Sequence, residues 1–316
     1  MNTVFFDQDH ISNIGPCVAT LGFFDGVHLG HRFLIEQVIN EARIMGLPST
    51  VITFDRHPRE VLHQDYQPEL LTTLDSKLTL LKHTGVDRVV VLRFDETMAQ
   101  LSAKDFMTRV LRDQLNVVKL VIGYDNRFGH NQSEGFDDYV RYGREMGMDV
   151  VHSSAFKLNG IEISSSVVRS FLKEGEIDLA NRCLGYPYTI TGKVVDGYKI
   201  GRKMGYPTAN LDTQSSGQLV PADGVYATKV CIGDTENGLP GMTDIGTRPT
   251  FGGQKRTLET YIFNFNENIY GRSISLSFIK HIRKERKFDN VTLLVEQLKK
   301  DESIIEELFN NKETGI

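Results

Sequence analysis

The 316-residue sequence contains no tryptophan and only three cysteines, Cys17, Cys183 and Cys231. Three widely separated cysteines do not form the dense disulfide framework of a small secreted domain, and they suit a reducing compartment. No apolar run reaches the roughly 20 residues that a membrane-spanning helix needs, and the polar beginning MNTVFFDQDH does not have the form of a signal peptide. We therefore expect a cytoplasmic protein that does not interact with membranes.

The sequence also lacks an excess of positive charge. Its net charge of −5 argues against a general nucleic-acid-binding protein, although a local cationic patch can still bind phosphate groups. The P-loop pattern G-x-x-x-x-G-K-[ST] occurs nowhere, and there is no low-complexity tract or clear internal repeat. The remaining composition, 40% hydrophobic and 24% charged, is that of an ordinary globular protein whose length predicts two domains.

The first half of the chain alternates short β-prone runs with amphipathic segments. This alternation predicts a Rossmann-like domain with a parallel sheet and helices on both faces, whose ligands bind beyond the carboxyl ends of the strands. The strands are predicted at residues 18–21, 50–54, 88–92, 119–123 and 149–152. Helices are predicted at residues 75–83, 102–114 and 135–146, and Ser102 is expected to cap the second of them.

After a short helix predicted at residues 178–184, the pattern becomes β-rich. Gly185, Tyr186 and Pro187 are typical of a linker, so we expect domains at residues 1–184 and 185–316. Short strands separated by glycine-bearing turns predict a small closed antiparallel barrel in the second domain. Its strands are predicted at residues 189–195, 224–232, 241–245, 258–265 and 273–278.

A last helix is predicted from about residue 290 to residue 310, with Asp289 or Asn290 as its cap. Its apolar stripe is expected to pack on the barrel and consists of Val291, Leu294, Leu298 and Ile305. The basic run at residues 280–287, KHIRKERK, is expected to be a solvated surface.

Residues 18–45 combine a strand, a glycine-bearing loop and an amphipathic helix, in which Leu34, Val38, Ala42 and Met45 have helical spacing. The arrangement places His28 immediately before the helix and His31 at its beginning. Free amide groups and the positive end of the helix dipole make such a place an anion site, where imidazoles can stabilise a phosphate in a transition state. Two histidines three residues apart also occur by chance, and no third ligand for a zinc site is evident.

Polar loops follow several other predicted strands. His57 and two arginines follow Phe54 in the string DRHPRE, and the string YDNRFGHNQSEG follows Gly123. After Ile163, the string SSSVVRSFL begins a helix. Its serines are either helix caps or, together with Arg169 one turn further on the same face, a phosphate site.

Residues 197–210, GYKIGRKMGYPTAN, form a glycine-rich basic segment. It is either an ordinary hairpin loop or a flexible loop whose amide groups wrap phosphates. Thr208 and Asn210 alternate along an extended segment and share a face, where their oxygens could ligate Mg²⁺. Glu259 lies in an otherwise apolar and aromatic strand, and it is either edge-facing or a base that takes a hydroxyl proton in phosphoryl transfer.

Together these motifs resemble the bacterial bifunctional riboflavin kinase/FAD synthetase family over about residues 18–301. The N-terminal half contributes the strings GFFDGVHLGH, TFDRHPRE, DRVVVLRFDE, GYDNRFG and ISSSVVR. The first of them also resembles the HxGH nucleotidyltransferase superfamily. The C-terminal half contributes GYPTANL, DGVYA, IGTRPTFGG, TLETYIFNF, YG and KFDN. A stand-alone adenylyltransferase would lack this second set.

The resemblance implies two ATP-dependent reactions. The C-terminal barrel would phosphorylate riboflavin to FMN, with Thr208 and Asn210 holding Mg²⁺ and ATP and with Glu259 as the catalytic base. The N-terminal domain would join FMN to the adenylyl part of ATP, giving FAD and pyrophosphate. In that domain His28 and His31 match the histidines that contact ATP phosphates.

The resemblance also implies binding residues around these groups. Those for flavin are His57, Asp125 and Arg127. Those for ATP and its phosphates are Gly22, Phe24, Asp25, Gly30, Ser165, Ser166, Arg169, Gly197, Gly201, Arg202 and Gly205. The implied partners are the small molecules riboflavin, FMN and ATP, and we expect a monomer or weak homo-oligomer without a nucleic-acid partner.

Several residues depart from the common pattern of the family. They are Ser166 for threonine, Val167 for a cationic residue, Arg56 for proline, Asn126 for an aromatic residue, and Lys199 and Ile200 for smaller residues. None of them removes a residue assigned to chemistry. Two alternatives stay open, namely an enzyme with one live site and a flavin-sensing binding protein that keeps the pockets without turnover.

Overall fold

The computed structural model describes residues 1–6, 14–62, 65, 67–197, 200–212, 216–233, 235, 238–250 and 253–313. It divides the chain into two compact units, Met1–Ser165 and Ser166–Ile316.

In the described part of the first unit, a six-stranded parallel sheet has the strand order β1-β4-β3-β2-β5-β6. Its strands are β1 (Asn2–Phe6), β2 (Cys17–Leu21), β3 (Ser49–Phe54), β4 (Arg88–Leu92), β5 (Val117–Ile122) and β6 (Asp149–His152). The predicted Rossmann-like sheet is confirmed. The edge strand β1 was not predicted, because its apolar run, Val4 to Phe6, is only three residues long and is followed by polar residues.

The helices of this unit connect the strands on both faces of the sheet. They are α1 (Leu29–Met45), α2 (Pro58–Leu62), α3 (Leu74–Lys82), α4 (Glu96–Ala99), α5 (Ala103–Asp105), its π-helical continuation Phe106–Gln114, and α6 (Phe136–Met146). A small hairpin, β7 (Lys157–Leu158) and β8 (Ile161–Glu162), follows the sheet. Ser102 is the predicted cap, since its hydroxyl accepts a hydrogen bond from the Asp105 amide at 3.0 Å.

The two central strands are buried along their whole length because a hydrophobic core lies on each face of the sheet. Cys17, Ala19 and Leu21 of β2 contact one core, and Val18 contacts the other. Alternate side chains of a strand point to opposite faces, so burial on both faces favours a run of apolar and β-branched residues without charges. The carboxyl ends of β2, β3 and β5 therefore lie side by side, and the loops after them meet at one edge.

Among the residues described in the second unit, six antiparallel strands close into a barrel in the order β10-β13-β12-β11-β14-β9. The strands are β9 (Thr189–Val195), β10 (Thr208–Leu211), β11 (Gly224–Ile232), β12 (Leu239–Thr250), β13 (Gly253–Ile262) and β14 (Ser273–Arg283). The predicted barrel is confirmed. The predicted strand at residues 241–245 is too short, because β12 pairs with β13 as far as Thr250.

The helices of the second unit pack around this barrel. They are α7 (Ser165–Glu174), which begins at the last residue of the first unit, α8 (Ile177–Leu184), α9 (Ile200–Lys203) and α10 (Val291–Glu313). Asn181 of α8 donates a hydrogen bond to the Phe278 carbonyl at 2.9 Å, and the Ala222 amide donates one to the Leu172 carbonyl at 2.9 Å. The structural division therefore falls after the first residue of α7 and before α8, whereas the sequence places the domain boundary after both helices. Where the functional domains separate stays a prediction.

The last helix has a predicted cap but only part of its predicted apolar stripe. Asn290, one of the two predicted caps, is the cap, since its side-chain oxygen accepts from the Leu293 amide at 3.0 Å. Val291, however, is 62% exposed, so the predicted stripe is wrong at its first position, and the buried side of α10 contains Ile305 and a carboxylate, Asp301. The barrel face below α10 contains Tyr206, Val225, Ala227, Met242 and Phe263.

Asp301 is 1% exposed and pairs with Arg283, whose Nε lies 2.9 Å from Oδ2 of the carboxylate. Gln297 donates a further hydrogen bond to Oδ1 at 2.6 Å. The expectation that residues 280–287 form a solvated surface is thus wrong at Arg283, because its guanidinium forms an ion pair with a buried carboxylate. An ion pair at this depth joins α10 to the end of β14.

Replacing Asp301 with alanine should destabilise the second unit by about 3 kcal/mol, because it leaves the Arg283 charge largely buried without its carboxylate. Denaturant unfolding followed by circular dichroism measures this loss. Glu307→Ala, at an exposed position of the same helix, is the matched control and should change stability by less than about 0.5 kcal/mol. Equal losses in the two variants would contradict the assigned role of the ion pair.

Candidate active sites

The loop between β2 and α1, which we call the phosphate loop (residues 22–28), has a strained backbone. Phe24 and Val27 adopt positive φ angles of 55° and 37°, and Gly26 has a φ of 78°. Positive φ is uncommon for residues other than glycine and is an outlier for a β-branched residue, so packing must hold the loop in this shape. Phe24 and Val27 are both buried in the core beside α1. A side chain at Gly22 would come within 3.1 Å of the Phe24 ring.

Asp25 fixes this loop to the segment before α3. Its carboxylate accepts hydrogen bonds from the amides of Leu71 at 2.9 Å and Thr72 at 3.0 Å, and the Gly26 amide donates to the Thr72 hydroxyl at 3.1 Å. The carboxylate is buried, and a negative charge does not attract phosphate. The geometry therefore supports an anchoring role for the Asp25 side chain, and its assignment to ATP stays a prediction.

His28 and His31 are stacked at the beginning of α1, with ring centroids 3.6 Å apart and an interplanar angle of 17°. His28 is the helix cap, because its Nδ1 accepts a hydrogen bond from the His31 amide at 3.2 Å. In the neutral ring this leaves the proton on Nε2, which is then a donor.

Burial, the nearby His28 and the charge of Lys77 hold the pKa of His31 well below its ordinary value, so this ring is neutral. Within the described ranges, its buried Nδ1 has no hydrogen-bond partner. A buried polar atom without a partner costs free energy, and at a candidate site it is available to a ligand.

Residues 163–165 lie directly against this helix terminus. A Cβ atom on Gly30 would lie only 2.9 Å from the Ile163 carbonyl oxygen, so the close approach requires glycine. Ser165 donates a hydrogen bond to the Asp25 carbonyl at 3.0 Å. The first unit thus brings together two of the motifs that the sequence assigned to phosphate binding.

Ser166 and Arg169 lie further along α7, in the second unit. Ser166 is exposed and Arg169 is half-buried, and their spacing places both on one side of the helix. Their assignment to phosphate binding stays a prediction.

The segment after β3, which we call the flavin loop (residues 55–60), contains His57. Its Nδ1 accepts a hydrogen bond from the Arg59 amide at 3.1 Å, and its ring contacts the Phe23 ring edge-on at 4.8 Å. Asp55 accepts a hydrogen bond from the Phe94 amide at 2.9 Å. The phosphate loop and the flavin loop are therefore in direct contact.

Asp125 and Arg127, the other predicted flavin ligands, are exposed in the loop that follows β5. Between them, Asn126 donates a hydrogen bond to the carbonyl of Leu21 at the end of β2. The departure from the family pattern at Asn126 therefore has a structural contact of its own, which joins the third loop to the end of β2, directly before the phosphate loop.

One buried residue at this edge was not predicted as part of the site. Lys77 of α3 is 2% exposed, and its ammonium group lies beneath the phosphate loop. The signal was present in the sequence, since Lys77 occupies the same helical face as the apolar residues Leu74, Leu78 and Leu81. A lysine at the centre of an apolar face indicates a buried charge with specific partners.

On the barrel, Thr208, Asn210 and Glu259 lie on one outer face. The Thr208 hydroxyl donates to Oε2 of Glu259 at 3.1 Å, and Asn210 is the cross-strand partner of Glu259. Ala209 and Leu211 are buried between and beyond them, as the predicted alternation requires. The structure therefore brings together the three residues that the sequence assigned to metal binding and base catalysis.

Asp244 of β12 is the cross-strand partner of Glu259 on the other side and was not predicted. It lies just before IGTRPT, which the structure shows to continue a strand. An extended β12 places Asp244, Glu259 and Asn210 in one row across three strands.

Two glycines of the basic segment lie in close approach to other groups. A Cβ atom on Gly197 would clash with the side-chain amide of Asn210, and one on Gly201 would clash with the Tyr206 carbonyl oxygen. Gly205 has a φ of 83°. The expectation of a flexible loop is wrong at residues 200–203, which form the single helical turn α9. Arg202 is exposed, and Lys199 lies outside the described residues.

Helix α10 contacts the basic segment at Tyr206. The Tyr206 hydroxyl donates to Oε2 of Glu302 at 2.9 Å, and burial together with this carboxylate raises the pKa of Tyr206. The KFDN motif (residues 287–290) contributes to a cavity that Leu293 and Gln297 of α10 also line.

The comparisons with known proteins agree with both halves of this description. Residues 10–167 match the family model described as FAD synthetase, and residues 184–309 match the one described as riboflavin kinase. The chain is 39% identical over 293 residues to the bifunctional riboflavin kinase/FMN adenylyltransferase of Escherichia coli (strain K12). It is 37% identical over 303 residues to the protein of the same name from Bacillus subtilis (strain 168). Each match covers 93% of both chains.

A crystal structure described as a macrolide-efflux protein from Streptococcus pneumoniae is also similar, with a TM-score of 0.86 and 32% identity. The match covers 97% of this chain and 99% of that one. In the part of our chain that the structure describes, no helix combines the length and the apolar character needed to cross a bilayer.

Fold and motifs define a two-domain transferase that uses nucleotides, and they confirm the interpretation as an enzyme. The chain belongs to the family of bifunctional riboflavin kinase/FMN adenylyltransferases, as the resemblance of its motifs predicted.

Proposed function

We propose that the second unit phosphorylates riboflavin to FMN and that the first unit transfers the adenylyl group of ATP to FMN, giving FAD and pyrophosphate. One observation carries this proposal: the two motif sets fold into two separate constellations of polar groups. One is the histidine pair at the beginning of α1, and the other is the row of Thr208, Glu259 and Asn210 on the barrel. The relatives in Escherichia coli and Bacillus subtilis bear the names of both activities.

In the adenylyl step, a phosphate oxygen of FMN attacks the α-phosphorus of ATP and the bond to pyrophosphate breaks. FMN phosphate is already an anion at neutral pH, so the site must position two polyanions and stabilise charge rather than remove a proton. The Nε2–H group of His28, the neutral His31 and the first amides of α1 suit this task. All of them are donors at the positive end of a helix dipole.

In the kinase step, the ribityl 5′-hydroxyl of riboflavin attacks the γ-phosphorus of ATP, the bond from that phosphorus to the β-phosphate oxygen breaks, and FMN and ADP are formed. We assign the proton of that hydroxyl to Glu259, the carboxylate that receives the hydrogen bond of Thr208. This hydrogen bond holds the carboxylate in one orientation on the outer face of the barrel, where a substrate can reach it.

Mg²⁺ is the metal that we propose for the barrel site. Over the described residues, no group of three or more histidine, cysteine, aspartate or glutamate side chains could hold a metal ion by itself. Thr208 and Asn210 instead offer one side-chain oxygen each, which fits an ion that is commonly bound by one or two protein groups together with substrate phosphates. When bound, the ion supplies charge neutralisation for the phosphates.

We further propose that these functions occupy domains 1–184 and 185–316 of a cytoplasmic monomer or weak homo-oligomer. The net charge of −5 supports small-molecule substrates over nucleic acid.

The test is incubation of the purified protein with riboflavin, ATP and Mg²⁺, followed by chromatography over time. FMN should appear first and FAD second, and a separate incubation with FMN and ATP should give FAD directly. FMN that accumulates without FAD would leave the kinase alone and would point to the departures at Asn126 and Val167. The absence of both products from folded protein would contradict the proposal in favour of the flavin-sensing alternative.

A further inference from the structure

The ammonium group of Lys77 has three hydrogen-bond acceptors beneath the phosphate loop. Its Nζ lies 3.0 Å from the Phe23 carbonyl oxygen, 3.1 Å from that of Phe54 and 3.2 Å from the Thr53 hydroxyl. It also lies 4.1 Å from the centroid of the Phe23 ring. A buried ammonium group is very costly unless its donors are satisfied, and here there is one acceptor for each N–H.

These three acceptors belong to two different functional segments. Phe23 is part of the phosphate loop, whereas Thr53 and Phe54 end β3 and lead into the flavin loop. The Thr53 hydroxyl also donates to the Phe23 carbonyl at 3.1 Å. Lys77 therefore joins the two loops that we assign to ATP and to FMN, at the carboxyl ends of adjacent parallel strands.

We propose that Lys77 is a positioning residue for adenylyl transfer, whose ammonium group holds the phosphate loop and the flavin loop together so that the FMN phosphate meets the α-phosphorus of ATP. This inference rests on the proposed function of the first unit. In this inference Lys77 fixes the position of the two substrates relative to each other, and it contacts neither of them.

The positive charge of Lys77 also influences a histidine of the candidate site. Burial lowers the pKa of Lys77 to about 8, although the nearby carboxylates of Asp25 and Asp55 act in the opposite direction. Burial, His28 and, to a smaller extent, this same ammonium group lower the pKa of His31. A neutral amine keeps only two N–H donors, so one of the three acceptors loses its bond when Lys77 is deprotonated. Adenylyl transfer should therefore decline as the pH rises through about 8.

Lys77→Met is the decisive variant, because it keeps the length of the side chain and removes its charge and donors. We expect kcat for FAD formation from FMN and ATP to fall about 10²-fold, since a small misplacement of reacting groups has an effect of that size. The KM values for ATP and FMN should change much less, and FMN formation from riboflavin should be unchanged. The decline of FAD formation above about pH 8 in the unmodified protein should be missing in this variant.

Lys82→Met is the matched control, because Lys82 is an exposed lysine of the same helix. It should match the unmodified protein in both reactions and in its pH profile. A Lys77→Met enzyme that keeps the normal kcat, or that shows the same alkaline decline, would overturn the inference.

Thr53→Val provides a second route if Lys77→Met does not fold. It removes the hydroxyl that bonds both Lys77 and the Phe23 carbonyl while nearly preserving the volume, and we expect about a 5-fold loss of kcat for FAD formation. An unchanged kcat in folded Thr53→Val would overturn the inference. If the unmodified protein forms no FAD, it is the proposed function itself that fails, and that result is distinct from a failure of Lys77 alone.

Discussion

Replacing His31 with alanine is expected to slow FAD formation from FMN and ATP about 10²–10³-fold, the usual effect of losing one donor that stabilises a transition state. FMN formation from riboflavin should be unaffected, because it takes place in the other unit. The buried Nδ1 of His31 has no hydrogen-bond partner among the described residues, so the substitution removes no internal bond of that atom. Separate assays of the two reactions by chromatography measure the effect.

His83→Ala is the matched control for His31→Ala, since His83 is an exposed histidine in the same unit. It should leave both reactions at their normal rates. A folded His31→Ala protein that has lost both activities would show that the assignment of two separate sites is wrong.

The lowered pKa of His31 has a consequence for stability. The unfolded chain binds a proton near pH 6.5, whereas the folded protein resists protonation of His31 until the pH is lower. Between these values the unfolded state holds more protons, so the stability of the first unit should decrease as the pH falls below about 6.5. Denaturant unfolding at several pH values should show a weaker decrease for His31→Ala, and equal decreases would contradict the buried, neutral state of this ring.

Replacing Glu259 with glutamine should produce the opposite selectivity. FMN formation should fall about 10²–10⁴-fold, which is the usual contribution of a general base, while FAD formation from added FMN continues. Glutamine keeps the size of the side chain and an oxygen that can accept the hydrogen bond of Thr208, so the barrel should stay folded.

Glu267→Gln, at an exposed position in the same unit, is the control for Glu259→Gln and should have normal activity. Near-normal FMN formation in Glu259→Gln would exclude Glu259 as the base. It would direct attention to Asp244, the carboxylate opposite Glu259 in the register of β12 and β13.

Most of the strands and helices could be predicted from the local pattern of apolar and polar residues. The central strands of the first sheet are short runs of apolar and β-branched residues, buried on both faces, and these runs mark the strands directly. The position of His28 and His31 at a helix start followed from the spacing of apolar residues behind them. The family could be inferred from the order of short motifs, because each motif keeps its residues close together in the chain.

The sequence-based predictions were wrong where the burial of a residue differs from what its residue type and its neighbours in the chain suggest. Strand β1 is a short edge strand in which only Phe6 is buried, and Arg283 belongs to a basic run but pairs with a buried carboxylate. The periodicity of a segment indicates which of its faces is apolar. It does not indicate which polar side chain of a neighbouring helix or strand will pair with a residue of that segment.

The sequence alone therefore determined the two fold classes, the family and the residue types at both sites. Only the tertiary structure decided which distant residues meet. Ser165 reaches the Asp25 carbonyl, the Asp25 carboxylate turns toward Leu71 and Thr72, and Lys77 joins two loops. The physical reason is that hydrogen bonds between distant segments depend on the path of the whole chain, whereas helices, strands and caps depend on neighbouring residues.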